Sequence, residues 1–144
     1  MSSERPTVLS LMTPFPYALA ANDTLETAQA MMQQHGIHHL PVLRDGVLAG
    51  IVSARDIDLC LEVLGAARSS QPVLVWTLCV RDPYVVELDA PLDEVAEQMA
   101  ARHIGSALVT RNGELAGILT VTDVGRAFAE LLRELERATD DDDD

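Results

Sequence analysis

The chain repeats itself. The stretch HGIHHLPVLRDGVLAGIVSARDI from His35 and the stretch RHIGSALVTRNGELAGILTVTDV from Arg102 align at an offset of 67 residues. Identities fall at Ile37/Ile104, Val42/Val109, Arg44/Arg111, Gly46/Gly113, Leu48/Leu115, Ala49/Ala116, Gly50/Gly117, Ile51/Ile118 and Asp56/Asp123. They continue upstream through Leu25/Leu92 and Met32/Met99. Further upstream the offset grows to 69, pairing Pro14 with Pro83. A duplication of this length means one supersecondary unit built twice, and half of a 144-residue chain is too short to bury a core alone.

Each copy reads as βαββα. Short extended pieces at 17–20 and 84–88 precede helices with apolar positions at helical spacing: Leu25, Ala28, Met32 in one copy and Leu92, Val95, Met99 in the other. Asp23 with Glu26 three residues later predicts a variant capping box, and Pro91 suits a first helical position. Gly36 is the expected left-handed terminus of the first helix. Two strands follow in each copy, joined by Asp45-Gly46 and Asn112-Gly113, dipeptides that favour a tight turn with two positive φ values. A second helix starts at Ser53 or Thr120. The expected fold class is α+β, with two repeats packed sheet against sheet about a pseudo-two-fold axis. The expected boundaries are 1–66 for the first repeat, 67–79 for a linker and lead-in, 80–133 for the second repeat, and 134–144 for a disordered acidic tail. The linker reading comes from Gly65, Ser69, Ser70 and Pro72. Trp76, just after it, reads as core packing.

Charge narrows the function. The net charge is −13, all ten basic residues are arginine, and Asp140 to Asp144 contribute five of the negative charges. The remaining chain stands at −8, a surface that repels nucleic acid and anionic lipid. The apolar stretches are too short for a membrane span, and MSSERPTV lacks the basic and apolar regions of a secretory signal, so a cytoplasmic location is expected. Cys60 and Cys79 are then reduced core residues. Adjacent His38 and His39 point to opposite faces of a strand, poor geometry for one metal ion. No phosphate loop, nucleophile elbow, zinc spacing or lysine is present, and no catalysis is expected.

Ser53-x-x-Asp56 and Thr120-x-x-Asp123 carry the most chemistry. A hydroxyl at the helix cap with an acid three residues later is a capping box. The same helix start presents unpaired N–H groups and a positive dipole end, favourable to phosphate. Arg126 lies on the helical face of Asp123, and Arg55 precedes Asp56.

The duplicated order of strand, helix, hairpin and Ser/Thr-x-x-Asp helix start resembles the CBS domain family, two copies of which form a Bateman module. The segments LPVLRDGVLAGIVSARDI and ALVTRNGELAGILTVTDV carry the likeness, which runs from about Val8 to Leu132. The resemblance implies a regulatory module that binds AMP, ADP or ATP in the cleft between the repeats and signals to a partner protein. Asp56 and Asp123 would hold ribose, and Ser53 and Thr120 would approach phosphate. The implied Asp123 site adds Arg126, Thr13 and His39; the implied Asp56 site adds Arg55 and Ser106, neutral where the first copy has His39. Scarce cations favour AMP over ATP. Two alternatives stay open: an assembly module whose sites are degenerate, and a sensor of S-adenosylmethionine or NAD. The resemblance also implies a homodimer, with Met31-Met32 and Phe128-Leu131-Leu132 offering apolar surface.

Overall fold

A computed structural model describes residues 5–14, 16–65 and 71–142. The chain divides into two units, Phe15–Tyr84 and the pair of segments Met1–Pro14 and Val85–Asp144. In chain order the elements are a 3-10 turn (Val8–Ser10), β1 (Thr13–Pro14), β2 (Leu19–Ala20), α1 (Leu25–His35), β3 (His39–Arg44), β4 (Val47–Ser53), α2 (Ala54–Leu64), α3 (Val75–Leu78), β5 (Val85–Glu87), α4 (Leu92–Ala101), β6 (Ser106–Arg111), β7 (Glu114–Thr120) and α5 (Val121–Asp142).

The Phe15–Tyr84 unit holds the sheet β2-β3-β4. Its first two strands are parallel, joined by α1, and its last two form an antiparallel hairpin. The βαββα order expected from the repeat is therefore present, and β5-α4-β6-β7-α5 repeats it. Leu19, Leu25, Ala28, Met32, Leu40, Val42, Val52 and Ile57 bury one face of each element in a common core. Both hairpin turns have the positive φ pairs that their dipeptides favour, 54° and 78° at Asp45-Gly46 and 51° and 83° at Asn112-Gly113. Gly36 closes α1 at φ 63°, its N–H donating to the Met32 carbonyl.

The segments ahead of each copy are exchanged. β1 pairs antiparallel with β7, Thr13 opposite Ile118 and Pro14 opposite Gly117, so the first residues complete the second copy's sheet. The Leu92 N–H at the start of α4 donates to the Pro6 carbonyl (2.8 Å), and Arg5 holds Asp93 at 2.7 Å. The matched bond in the other unit runs from the Leu25 N–H to the Val73 carbonyl at 3.0 Å. There Ile51 and Val80 exchange backbone hydrogen bonds at the edge of β4. The expected boundary of 1–66 is corrected: residues 5–14 belong with 85–142, and α3, placed in the linker by its sequence position, belongs with the first copy's core through Val75 and Cys79. The reason is backbone pairing, since each hairpin leaves an unpaired edge that the other copy's lead-in covers.

Four local expectations shift. Thr24, not Asp23, caps α1, accepting the Thr27 N–H at 3.1 Å, while Asp23 accepts from the Ala20 N–H at 2.8 Å. Pro91 is the cap itself rather than the first helical residue. The tail expected to be disordered from residue 134 is helical through Asp142. Met32 lies in the core with Met31 packed against it, so this pair is not the spare apolar surface expected of it. Of the predicted linker, residues 67–70 lie outside the described residues, as does residue 66 at the end of the expected first repeat.

The exchange depends on missing side chains at two matched positions. A Cβ on Gly117 would stand 2.8 Å from the Thr13 carbonyl oxygen, and one on Gly50 would stand 2.7 Å from that of Val80. Gly117→Ala is expected to cost about 1–3 kcal/mol, because backbone on both sides must move. Gly125→Ala, in α5 with open space around it, should instead stabilise by about 0.5–1 kcal/mol. Urea unfolding of the two variants checks the pair; equal effects would contradict the close approach.

Candidate functional site: two hydroxyl–aspartate helix starts

β4 and β7 each end in a hydroxyl residue that opens a helix. The Ser53 backbone is extended (φ −107°, ψ 152°), and its Oγ accepts the Asp56 N–H at 3.1 Å. Thr120 does the same for Asp123 at 3.3 Å, and the Asp123 carboxylate returns the contact. Its Oδ2 accepts the Thr120 N–H at 2.9 Å and the Thr120 hydroxyl at 3.1 Å. Asp123 is 8% exposed, and its second oxygen faces Arg126 Nη1 at 3.9 Å. The two starts are therefore unequal: one acid is buried in a complete capping box, whereas Asp56 is solvent-exposed.

Strand register gathers the other expected residues. His39 stands opposite Ser53 across β3–β4, and Ser106 stands opposite Thr120 across β6–β7. Thr13 pairs with Ile118, two positions before Thr120. The Phe15–Tyr84 unit thus holds His39, Ser53, exposed Arg55 and Asp56, while the other holds Thr13, Ser106, Thr120, Asp123 and Arg126. The sequence-based grouping assigned His39 to Asp123 and Ser106 to Asp56. That grouping joins residues of different repeats; within each unit, strand register sets His39 beside Ser53 and Ser106 beside Thr120. His39 is partly buried, which pushes its pKa below the ordinary value; the neighbouring His38 adds to the fall and the Asp56 carboxylate opposes it.

Two arrangements escaped the sequence reading. Glu87 accepts the Thr110 hydroxyl and, at 3.0 Å, the Asn112 N–H, which ties β5 to the hairpin turn and lowers the Glu87 pKa. Trp76 is not simply core: it packs partly against the core while the guanidiniums of Arg44 and Arg81 lie over its ring. A lone tryptophan close in sequence to Arg81 was the available signal. Among the described residues no three His, Cys, Asp or Glu side chains gather as metal ligands, and no helix is long and apolar enough to cross a membrane.

Two βαββα units with exchanged lead-ins, each ending in a hydroxyl–aspartate helix start, define a duplicated CBS-type pair. The CBS domain profile matches residues 8–61 and 75–130, and the chain belongs to that family. It is 31% identical over 107 residues to an inosine-5'-monophosphate dehydrogenase of Korarchaeum cryptofilum, covering 74% of this chain and only 21% of that enzyme. Among solved structures it is similar to CBSX2 in complex with AMP (TM-score 0.70, 25% identity, 87% of this chain and 97% of that one). It is also similar to the CBS domain pair of MJ0100 in complex with 5'-methylthioadenosine and S-adenosyl-L-methionine (TM-score 0.74, 25% identity, 85% and 99%).

His39 supplies a test of the Ser53 neighbourhood. Its folded pKa lies below the unfolded value of about 6.5, so the unfolded chain binds more protons in between. The stability contributed by neutral His39 is thus complete above about pH 6.5 and is lost as pH falls toward the folded pKa. Asp56→Asn removes the one charge that raises this pKa and should lower it further. Histidine NMR titration of both proteins checks this; an unchanged or raised pKa in the variant would show that Asp56 does not act on His39.

Proposed function

We propose that the chain is a regulatory module that binds an adenosine nucleotide at its hydroxyl–aspartate helix starts and signals to a partner protein by conformational change. The observation that carries this reading is the Asp123 carboxylate. It is held in place by two bonds from Thr120 through Oδ2, while among the described residues Oδ1 has only the distant Arg126 contact. A fixed carboxylate with an oxygen to spare can accept the vicinal hydroxyls of a ribose, and the adjoining helix start suits a phosphate. The bound ligands of the similar CBSX2 and MJ0100 structures, AMP and S-adenosyl-L-methionine with 5'-methylthioadenosine, share an adenosine group. CBS pairs serve generally as regulatory modules, which supports a non-catalytic role; a cytoplasmic location is part of the same proposal. Ligand would act by favouring one conformation of the module over another.

The cations near the helix starts favour AMP among the nucleotides. Arg126 and Arg55 are the arginines there, and burial keeps His39 toward its neutral form. S-adenosylmethionine or NAD is the alternative ligand. An assembly module without ligand is the second reading, and one observation favours it: the capping box of Thr120 and Asp123 is satisfied by its own members.

AMP at a hundredfold excess over Kd should stabilise the fold by about 2.7 kcal/mol, several degrees in Tm. Calorimetric titration should show that Asp123→Ala removes most of the binding and Asp56→Ala leaves most of it, both proteins being folded at the assay temperature. No thermal shift with millimolar AMP, ADP, ATP or S-adenosylmethionine would overturn the sensor reading in favour of assembly.

We also propose a homodimer through α5. Val121, Val124, Phe128, Leu131, Leu135 and Ala138 recur at alternating spacings of three and four along this helix, with Phe128 59% and Leu131 49% exposed. Light scattering at tens of micromolar should give twice the monomer mass, and Leu131→Glu should return it to monomer. Monomer alone in the parent protein would overturn the proposal.

A further inference from the structure

Trp76 is the chain's single tryptophan, and two cations converge on it. The guanidinium carbon of Arg44 stands 4.6 Å from the ring centroid and that of Arg81 stands 4.4 Å from it. Arg81 Nη2 also donates to the Trp76 carbonyl at 2.8 Å, which anchors its side chain. Both charges thus lie within 4.6 Å of one centroid, and like charges sharing one ring repel. Acidic residues outnumber basic ones 23 to 10, yet among the described residues neither arginine forms an ion pair with a carboxylate. The ring quadrupole offsets part of the repulsion, and the rest is available to an anion.

The fold itself does not demand this cluster. At the matched position of the other unit stands Leu9, whose N–H donates to the Leu88 carbonyl as the Trp76 N–H donates to that of Ala21. Arg111 matches Arg44, so the second copy has the cation without the ring. The lead-in docks equally well with a leucine, and the ring and Arg81 are additions made in one copy only. Nor does the cluster belong to the helix start of its own unit. His39, opposite Ser53, begins β3 and Arg44 ends it, and five residues of strand span about 16 Å.

We propose that Arg44, Trp76 and Arg81 form a binding site for a phosphate monoester, separate from the adenosine site. A guanidinium held over an aromatic face leaves its in-plane N–H groups, apart from the one that Arg81 gives to the Trp76 carbonyl, for an oxyanion and loses less side-chain freedom on binding. Two cations match the charge of a phosphate monoester near −2, whereas a single carboxylate would neutralise only one. The phosphate can be free or carried on a phosphorylated side chain of a protein.

Trp76 reports on its own site, since no other tryptophan contributes emission. The experiment titrates the full chain with inorganic phosphate, with a peptide bearing one phosphoserine, and with the same peptide unphosphorylated, at ionic strength fixed with sodium chloride. Fluorescence and calorimetry are read in parallel. Phosphate should give a saturable response, weakened at least tenfold in Arg44→Gln and in Arg81→Gln. It should stay within twofold in Arg137→Gln, which removes the same charge from the exposed end of α5. Tighter binding of the phosphopeptide identifies a phosphoprotein as the source; equal or weaker binding identifies free phosphate. The proposal is overturned if phosphate and phosphopeptide act no differently from sodium chloride, or if Arg44→Gln responds like the parent.

Discussion

The β3–β4 and β6–β7 hairpins set the positions of everything else in their units. Each is closed by a two-residue turn that only a positive φ pair permits, so the register at the tip is fixed: Arg44 faces Val47, and Arg111 faces Glu114. Each then slips by one residue, at Val42/Leu43 and at Val109/Thr110, where the facing strand carries an extra alanine, Ala49 or Ala116. A bulge in a period-two structure reverses which face every later side chain takes. Without it, the strand ends that carry Ser53 and Thr120 would be offset from His39 and Ser106, and the helix starts would leave their sheets from the wrong side.

The same register puts Gly50 and Gly117 at matched places on β4 and β7, where the exchanged lead-ins approach closest. Geometry of the helix starts and exchange of the lead-ins therefore have one origin. The bonds that complete the exchange are matched in the two units, Leu92 to Pro6 and Leu25 to Val73, and so are the buried anchors Val8 and Val75. Duplication preserved a backbone arrangement and left the side chains around it free to diverge.

What could be read from the sequence follows this division between local and distant determinants. The turns, Gly36 and the hydroxyl helix starts were legible because each depends on a few neighbouring residues. The exchange was not, because Thr13 and Ile118 are far apart in sequence and their pairing is between backbones. Asp23 was misread as a cap because Thr24, also a competent cap, follows it directly. The end of α5 was read as disordered from its aspartates, although Leu131, Leu135 and Ala138 keep the helical spacing past residue 134. At the site, the two aspartates look interchangeable in sequence; their difference in burial depends on packing that no motif records. Trp76 was read as core because a buried ring and a ring covered by arginines leave the same trace in a sequence.

That difference in surroundings gives the two helix starts different electrostatics on one backbone plan. The buried capping box has Arg126 beside it, its Nη1 3.9 Å from the Asp123 carboxylate. Ser53 and Asp56 instead share their end of the sheet with His39, whose burial lowers its pKa and favours the neutral ring. A fall in pH adds a cation beside Asp56, whereas the place of His39 is taken at the Asp123 start by Ser106. The arginines follow the same economy: Arg5 ties a lead-in to α4, Arg126 faces the buried acid, and Arg44 and Arg81 are held together on one ring. In a chain of net charge −13, positive charge is scarce enough that its placement, more than the fold, decides where an anion can be held.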